Sequence, residues 1–167
     1  MFKSYFLIIL ALMTSGCISS GSTLGNGTNS IGQPVCLSDC GQIPSVIEKY
    51  MKTHGLTTEE DEIDYLMYRI RFSNDKFIRN GLEVDSSSAA DFLRWKIGWY
   101  EDRYKEKVIT DEDFVYKITK GSEKTGKPYV IILPDGSKHN MQFIMQNELN
   151  RLEAYQGETP EIPNPKM

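Results

Sequence analysis

Two groups of residues have the types and spacing to do chemistry. The first is Gly121-Ser122-Glu123-Lys124-Thr125-Gly126-Lys127, which has the glycine and lysine spacing of a phosphate-cradling loop. Such a loop needs a hydroxyl residue next, to hold magnesium, and then a helix whose N–H groups face the phosphates. Here Pro128 occupies the hydroxyl position and a β-rich run follows. The stretch therefore reads as punctuation: Gly121 stops a helix, Thr125-Gly126 turns, and Pro128 enters a strand. No nucleotide and no other cofactor is expected. The second group is scattered in sequence: Arg79, Asn80, Lys96, Ser122, Lys127 and Tyr129. These are the candidate binding residues. Arginine presents a planar fork to carboxylates and phosphates. Asn80 precedes Gly81, and that pair is needed for turn geometry alone.

Other chemistries find little support. His54 and His139 lie far apart and lack a His-x-x-x-His partner, so no metal site is expected. No Gly-x-Ser-x-Gly stretch supplies a nucleophile elbow. The acids Glu59 to Asp64 suit the first turns of a helix, where the dipole favours negative charge. Lys117, Lys120, Lys124, Lys127 and Lys138 read as solvated surface, or as a basic face near Arg79 that would attract anionic polymer or lipid headgroups.

The N-terminus carries the clearest signal. MFKSYFLIILALMTSGC has one early lysine, an apolar run from Phe6 to Met13, and small residues leading to Cys17. The run is shorter than the roughly 20 residues that span a bilayer. The order is that of an export signal ending at a lipidation cysteine. It resembles a prokaryotic lipobox at Ser15-Gly16-Cys17 and departs from it at Thr14; the alternative is an ordinary secretory signal. Two or more acyl chains on Cys17 would anchor the protein stably. The expected location is extracytoplasmic, membrane-anchored, in the periplasm or on the cell surface.

Cleavage leaves about 150 residues, enough for one modest domain. Losing Lys3 makes the mature chain one charge more negative than the −4 of the whole sequence. That acidity argues against a nucleic-acid binder, which needs a concentrated basic surface. Cys36 and Cys40 remain as an even pair, and an oxidising compartment predicts a disulfide between them. The alternatives are metal binding, with an incomplete ligand set, and a redox-active pair, for which there is no Cys-x-x-Cys and no thioredoxin-like context.

The elements that must position the candidates follow from pattern. Residues 1–16 are the signal peptide. Residues 17–42 are the lipidated cysteine, a Gly/Ser/Asn/Thr-rich flexible tether and the Cys36/Cys40 loop. A compact domain is predicted over 43–155, and 156–167 reads as a disordered tail. Pro44 to Thr53 is a short helix ended by Gly55. Thr57 and Thr58 cap a helix carrying Ile63, Leu66, Met67 and Ile70. Phe77 to Val84 is a β-hairpin turning at Asn80-Gly81. Ser86 caps a helix on which Ala89, Leu93, Ile97, Tyr100 and Tyr104 repeat, joined by Phe92 and Trp95. Thr110 and Asp113 box a third helix with Phe114, Val115 and Ile118. Tyr129 to Leu133 is a strand ended by Pro134-Asp135-Gly136, and Asn140 to Tyr155 a last amphipathic helix. The expected fold is a small single α+β domain, with about four helices around a short hairpin plus one further strand in the same sheet.

Phe77-Ile78-Arg79-Asn80-Gly81, then Ala89 with Leu93-Arg94 and Lys96, then Thr110 with Phe114, then Ser122 and Thr125-Gly126-Lys127-Pro128-Tyr129, resemble in order and spacing the YfeK-like proteins. These are short exported bacterial proteins of unknown function, and the resemblance spans residues 63–155. The chain departs from them at Ser73-Asn74-Asp75, where a cysteine is common, and at Phe92, where a His is common. The resemblance implies export, small size and no known cofactor; it supplies no activity. The expected function is non-enzymatic binding of an envelope protein or anionic polymer by a tethered lipoprotein. The alternative is a small envelope hydrolase with a site around Arg79, Lys96, Ser122 and Tyr129. A deep pocket collecting those four side chains favours the enzyme; a shallow apolar or basic face favours binding.

Overall fold

The computed structural model describes residues 23–37, 40–108 and 110–158. The signal peptide, Cys17 and most of the expected tail lie outside the described residues. The architecture is α+β. In chain order come α1 (Ile43–His54), α2 (Glu59–Phe72), β1 (Lys76–Arg79), β2 (Leu82–Asp85), α3 (Ser86–Tyr104), the single turn α4 (Asp111–Asp113), a π-helical turn (Phe114–Ile118), β3 (Val130–Ile132), β4 (Lys138–Asn140) and α5 (Met141–Glu158). The strands form one antiparallel sheet in the order β2-β1-β3-β4. The hairpin and Tyr129–Leu133 region thus share a sheet, as expected. The sequence pattern missed β4, whose three residues are too short to show alternation.

Local chemistry explains most boundaries. Thr58 and Asp61 form a reciprocal capping box at the start of α2. Asn80 and Gly81 take φ values of 52° and 87°, the left-handed pair that turns β1 into β2 with Arg79 opposite Leu82. Asp85, not the expected Ser86, caps α3, accepting from the Ser88 amide at 2.7 Å. Thr110 accepts from the Asp113 amide at 3.0 Å, but the helix it starts soon widens to i→i+5 bonding, with Thr119 N–H donating to Phe114 O. α5 runs to Glu158, past the point where the tail was expected.

Phe77 and Ile131 sit opposite each other in the sheet and are both buried, so this face meets the helices. α3 packs on β1 and β2, α5 on β3 and β4, and α2 lies between α3 and α5. One polar knot crosses the core. The Glu148 carboxylate on α5, wholly buried, accepts from Arg69 Nε on α2 at 2.8 Å and from the Leu37 amide at 2.7 Å. Arg69 Nη2 in turn donates to Leu37 O at 2.8 Å.

That knot corrects the expected tether. Cys36 and Cys40 are disulfide-bonded, but Cys36 and Leu37 are core residues rather than part of an outlying loop. Earlier residues are held too. Gly25 N–H donates to Lys138 O at 2.7 Å, its carbonyl accepts from Asn140, and Asn147 Nδ2 donates to Gly27 O and Val35 O. Gly25 lies against the His139 ring so closely that a Cβ would sit 2.4 Å from Nδ1. A glycine-rich, polar composition signals flexibility only where its backbone groups find no partners, and here β4 and α5 supply them. His139 is accordingly buried, not a surface residue.

Candidate functional site

A cleft of about 440 Å³ opens between α3, the end of β1 and the loop before β3. Arg79, Lys96, Ser122 and Tyr129, far apart in sequence, all line it. Asn80 and Lys127 do not. Asn80 is structural. Its Oδ1 accepts from Thr125 Oγ1 at 2.8 Å, tying the hairpin apex to the loop that forms one rim. Lys127 contributes backbone, its carbonyl accepting from Ser122 N–H at 2.9 Å. This closes the Gly121–Lys127 stretch as a turn, bridged from Gly121 to Pro128 and leading into β3. A Cβ on Gly121 would meet Lys127 O at 2.4 Å, so glycine is required there. The Ser122, Gly126 and Lys127 amides are bonded within the turn and β3 follows it, in contrast to the helix of a phosphate-cradling loop.

The floor of the cleft is Lys96, only 2% exposed. Its Nζ donates to Ile118 O and Gly121 O, each at 2.7 Å, and more weakly to Lys117 O at 3.4 Å. These carbonyls are left over where the π-helical turn ends, and the lysine satisfies them. Burial pushes the Lys96 ammonium down to about 8, with Glu123 opposing the shift and Arg79 adding to it. No hydrogen bond joins it to Ser122. It sits 4.9 Å from the Tyr129 ring centroid, and burial raises the Tyr129 phenol, opposed by Arg79.

The walls are aromatic and basic. Phe92, Trp95 and Trp99 succeed one another along α3, with Tyr104 edge-on at its end. Trp95 is 57% exposed, and its indole runs near-parallel to that of Trp99 at 25° with centroids 6.3 Å apart. The Arg79 guanidinium lies 3.6 Å above the Phe92 ring, and that of Arg103 5.4 Å above Trp99. Neither guanidinium has a carboxylate within 4.0 Å among the described residues. Glu123 accepts from Tyr104 OH at 3.2 Å. The lining holds Arg79, Lys96, Arg103 and Lys124 against the single acid Glu123. Of the other lysines of the expected basic face, Lys117 pairs with Glu106 and Asp113 and Lys138 lies in β4, while Lys120 lines an adjoining hollow with Ser122 and Glu123.

Sequence reasoning did not single out Trp99 or Arg103, and it counted Phe92, Trp95 and Tyr104 with the apolar repeat of the helix. A signal was present. Trp95, Trp99 and Arg103 recur every four residues, a stripe offset from the Ala89–Leu93 face that is buried.

Away from the cleft, Glu59, Glu62 and Asp111 bring carboxylate oxygens within 4.8 Å of one another. Burial, and then a hydrogen bond with Glu62, push the Asp111 carboxyl up to about 6.

A family model matches residues 57–153, from the cap of α2 to the last turns of α5. The chain belongs to DUF5329, a family of unknown function. The matched stretch of this DUF5329 protein contains every residue of the cleft and leaves out α1, the disulfide and the segment pinned by Gly25. No curated protein and no solved structure matches the chain.

Proposed function

We propose that this DUF5329 member is a membrane-tethered extracytoplasmic lipoprotein that binds an anionic envelope polymer through the cleft without transforming it. The observation that carries the reading is the cleft's charge. Exposed Arg79, Arg103 and Lys124 face one carboxylate, on a chain whose formal charge is −4. An isolated cationic concavity on an acidic protein attracts anions locally while the rest of the surface repels them. The anchor rests on the sequence of residues 1–17, and no described helix is long and apolar enough to cross a membrane. The finer kinship to the YfeK-like proteins is supported by blocks that all fall inside the matched stretch.

Two measurements test this. Mass analysis of the mature N-terminus should find acyl chains on Cys17, absent in Cys17→Ser; an unmodified Cys17 or cleavage elsewhere refutes the anchor. Co-sedimentation with purified envelope polymers should show binding that weakens as salt rises. Binding that is absent, or indifferent to salt, refutes the polymer reading.

A second reading is favoured by one observation: Arg79, Lys96, Ser122 and Tyr129 do share the cleft. A hydrolase built on them needs a base at hydrogen-bond reach of Ser122. Lys96 is instead engaged by carbonyls, and both histidines lie outside the cleft. Turnover of an envelope ester or amide that is lost in Ser122→Ala would install the enzyme reading in place of the first.

A further inference from the structure

We infer that the ligand unit recognised in the cleft is an acidic sugar: a pyranose whose face rests on the Trp95 indole and whose carboxylate meets Arg79. This rests on the binding reading above and gives the polymer a chemical class.

The aromatic wall is built to be used from outside. Large rings on a helix normally turn inward, yet Trp95 leaves more than half its surface in solvent while its neighbours Leu93 and Lys96 are buried. Trp95, whose ring stacks near-parallel with that of Trp99, presents its exposed indole as a shelf on α3. A pyranose has an apolar C–H face and a polar rim. Laid on such a shelf it buries the face and leaves its hydroxyls free for water or acceptors. Glu123, fixed by Tyr104 OH at 3.2 Å, is a carboxylate acceptor at the same cleft.

The anion is read beside the shelf. Phe92 is the link, 3.6 Å from the Arg79 guanidinium and 5.6 Å from the Trp95 ring. The cation and the exposed indole therefore flank the same ring, so a sugar stacked on Trp95 has Arg79 on its Phe92 side. Phe92 covers one face of the guanidinium and the Tyr129 hydroxyl hydrogen-bonds to it, which holds the fork in place; a guanidinium has five N–H donors, enough left to pair with a carboxylate two bonds at a time. Lys96, buried below and held by carbonyls, adds positive potential without being spent on the ligand. A single-stranded nucleic acid also stacks on aromatic rings. The chain's formal charge of −4 argues against it, because nucleic-acid binding calls for a strongly basic surface, and the exposed cations in the cleft lining are Arg79, Arg103 and Lys124.

The test is titration of the full-length protein, followed by tryptophan fluorescence, with four probes: a short oligogalacturonate, a neutral cello-oligosaccharide, inorganic polyphosphate and a single-stranded oligonucleotide. The expected result is saturable quenching by the oligogalacturonate at least tenfold tighter than by any other probe. Trp95→Ala and Arg79→Ala should each weaken it tenfold or more, and Arg79→Lys should restore only part of the loss. Circular dichroism of each variant should match wild type, since both side chains project into solvent. Equal binding of the neutral sugar overturns the role of the carboxylate. Tighter binding of polyphosphate or the oligonucleotide overturns the sugar while leaving an anion-binding cleft. No binding of any anion overturns both this inference and the reading it rests on.

Discussion

Replacing Glu148 by leucine tests the polar knot at the centre of the fold. The carboxylate accepts two bonds from Arg69, at 2.8 and 3.2 Å, and one from the Leu37 amide at 2.7 Å. Arg69 is 8% exposed and Glu148 wholly buried, so water cannot take over these bonds. Removing one partner of a buried pair costs about 3–5 kcal/mol, because the remaining charge has lost its counter-charge. The orphaned Leu37 amide falls within the same loss, since a buried unpaired N–H costs about 1–3 kcal/mol by itself. A domain of this size has only about 5–15 kcal/mol in hand, so Glu148→Leu should bring it close to unfolding. Equilibrium urea denaturation reads the loss. The companion is Arg69→Met/Glu148→Leu, in which neither charge of the pair is left, although the buried Asp75 that Arg69 also faces remains. It should recover most of the stability, because an apolar replacement of a buried pair is often neutral. Hydrogen exchange should still show a fast Leu37 amide in the double variant, since its acceptor is gone in both. A single-variant loss under about 1 kcal/mol, or a double variant no more stable than the single, refutes the account of a dry, mutually dependent knot.

Gly81→Val should destabilise the domain by about 1–3 kcal/mol, since a β-branched residue is strained at the observed φ of 87°. Arg79→Ala should leave the urea midpoint nearly unchanged, because no carboxylate among the described residues pairs with Arg79; a large loss would mark it as structural and remove it from the site. The Asp111 carboxyl is raised to about 6, so its folding contribution is fully present below its ordinary value near 3.8 and is lost as pH rises through about 6. Asp111→Asn should therefore stabilise at pH 7, by at most about 3 kcal/mol, and that advantage should disappear towards pH 4. A difference independent of pH refutes the assignment. Reducing Cys36–Cys40 relaxes a short loop and should cost about 2 kcal/mol from unfolded-state entropy alone. A melting curve unchanged by reductant refutes this expectation.

Much of the fold was legible because its signals are local. The Thr58 box, the Asn80-Gly81 turn and the apolar spacing of α2 and α5 each act within a few residues, and each appears where the pattern predicts. β4 was not legible, since a three-residue edge strand is made by its partner rather than by its own composition. The π-helical turn was not legible either. Its spacing resembles an ordinary helix end, and Lys96 arriving from α3 is what satisfies its carbonyls.

The candidate site divides in the same way. Residue types alone marked Arg79, Lys96, Ser122 and Tyr129 as chemically capable, and the export signal and cysteine pair are likewise properties of the chain read in order. Only the tertiary structure decided that these four meet in one cleft and that Trp95 and Trp99 form its wall. It also decided that the lysine is engaged by backbone, and that residues 25–37 belong to the domain. The physical reason is sequence distance. A cap or a turn is decided by neighbours whose bonds close small rings. The Arg69–Glu148 knot and the cleft depend on groups tens of residues apart, brought together only when burial of the shared core outweighs the entropy of closing those loops.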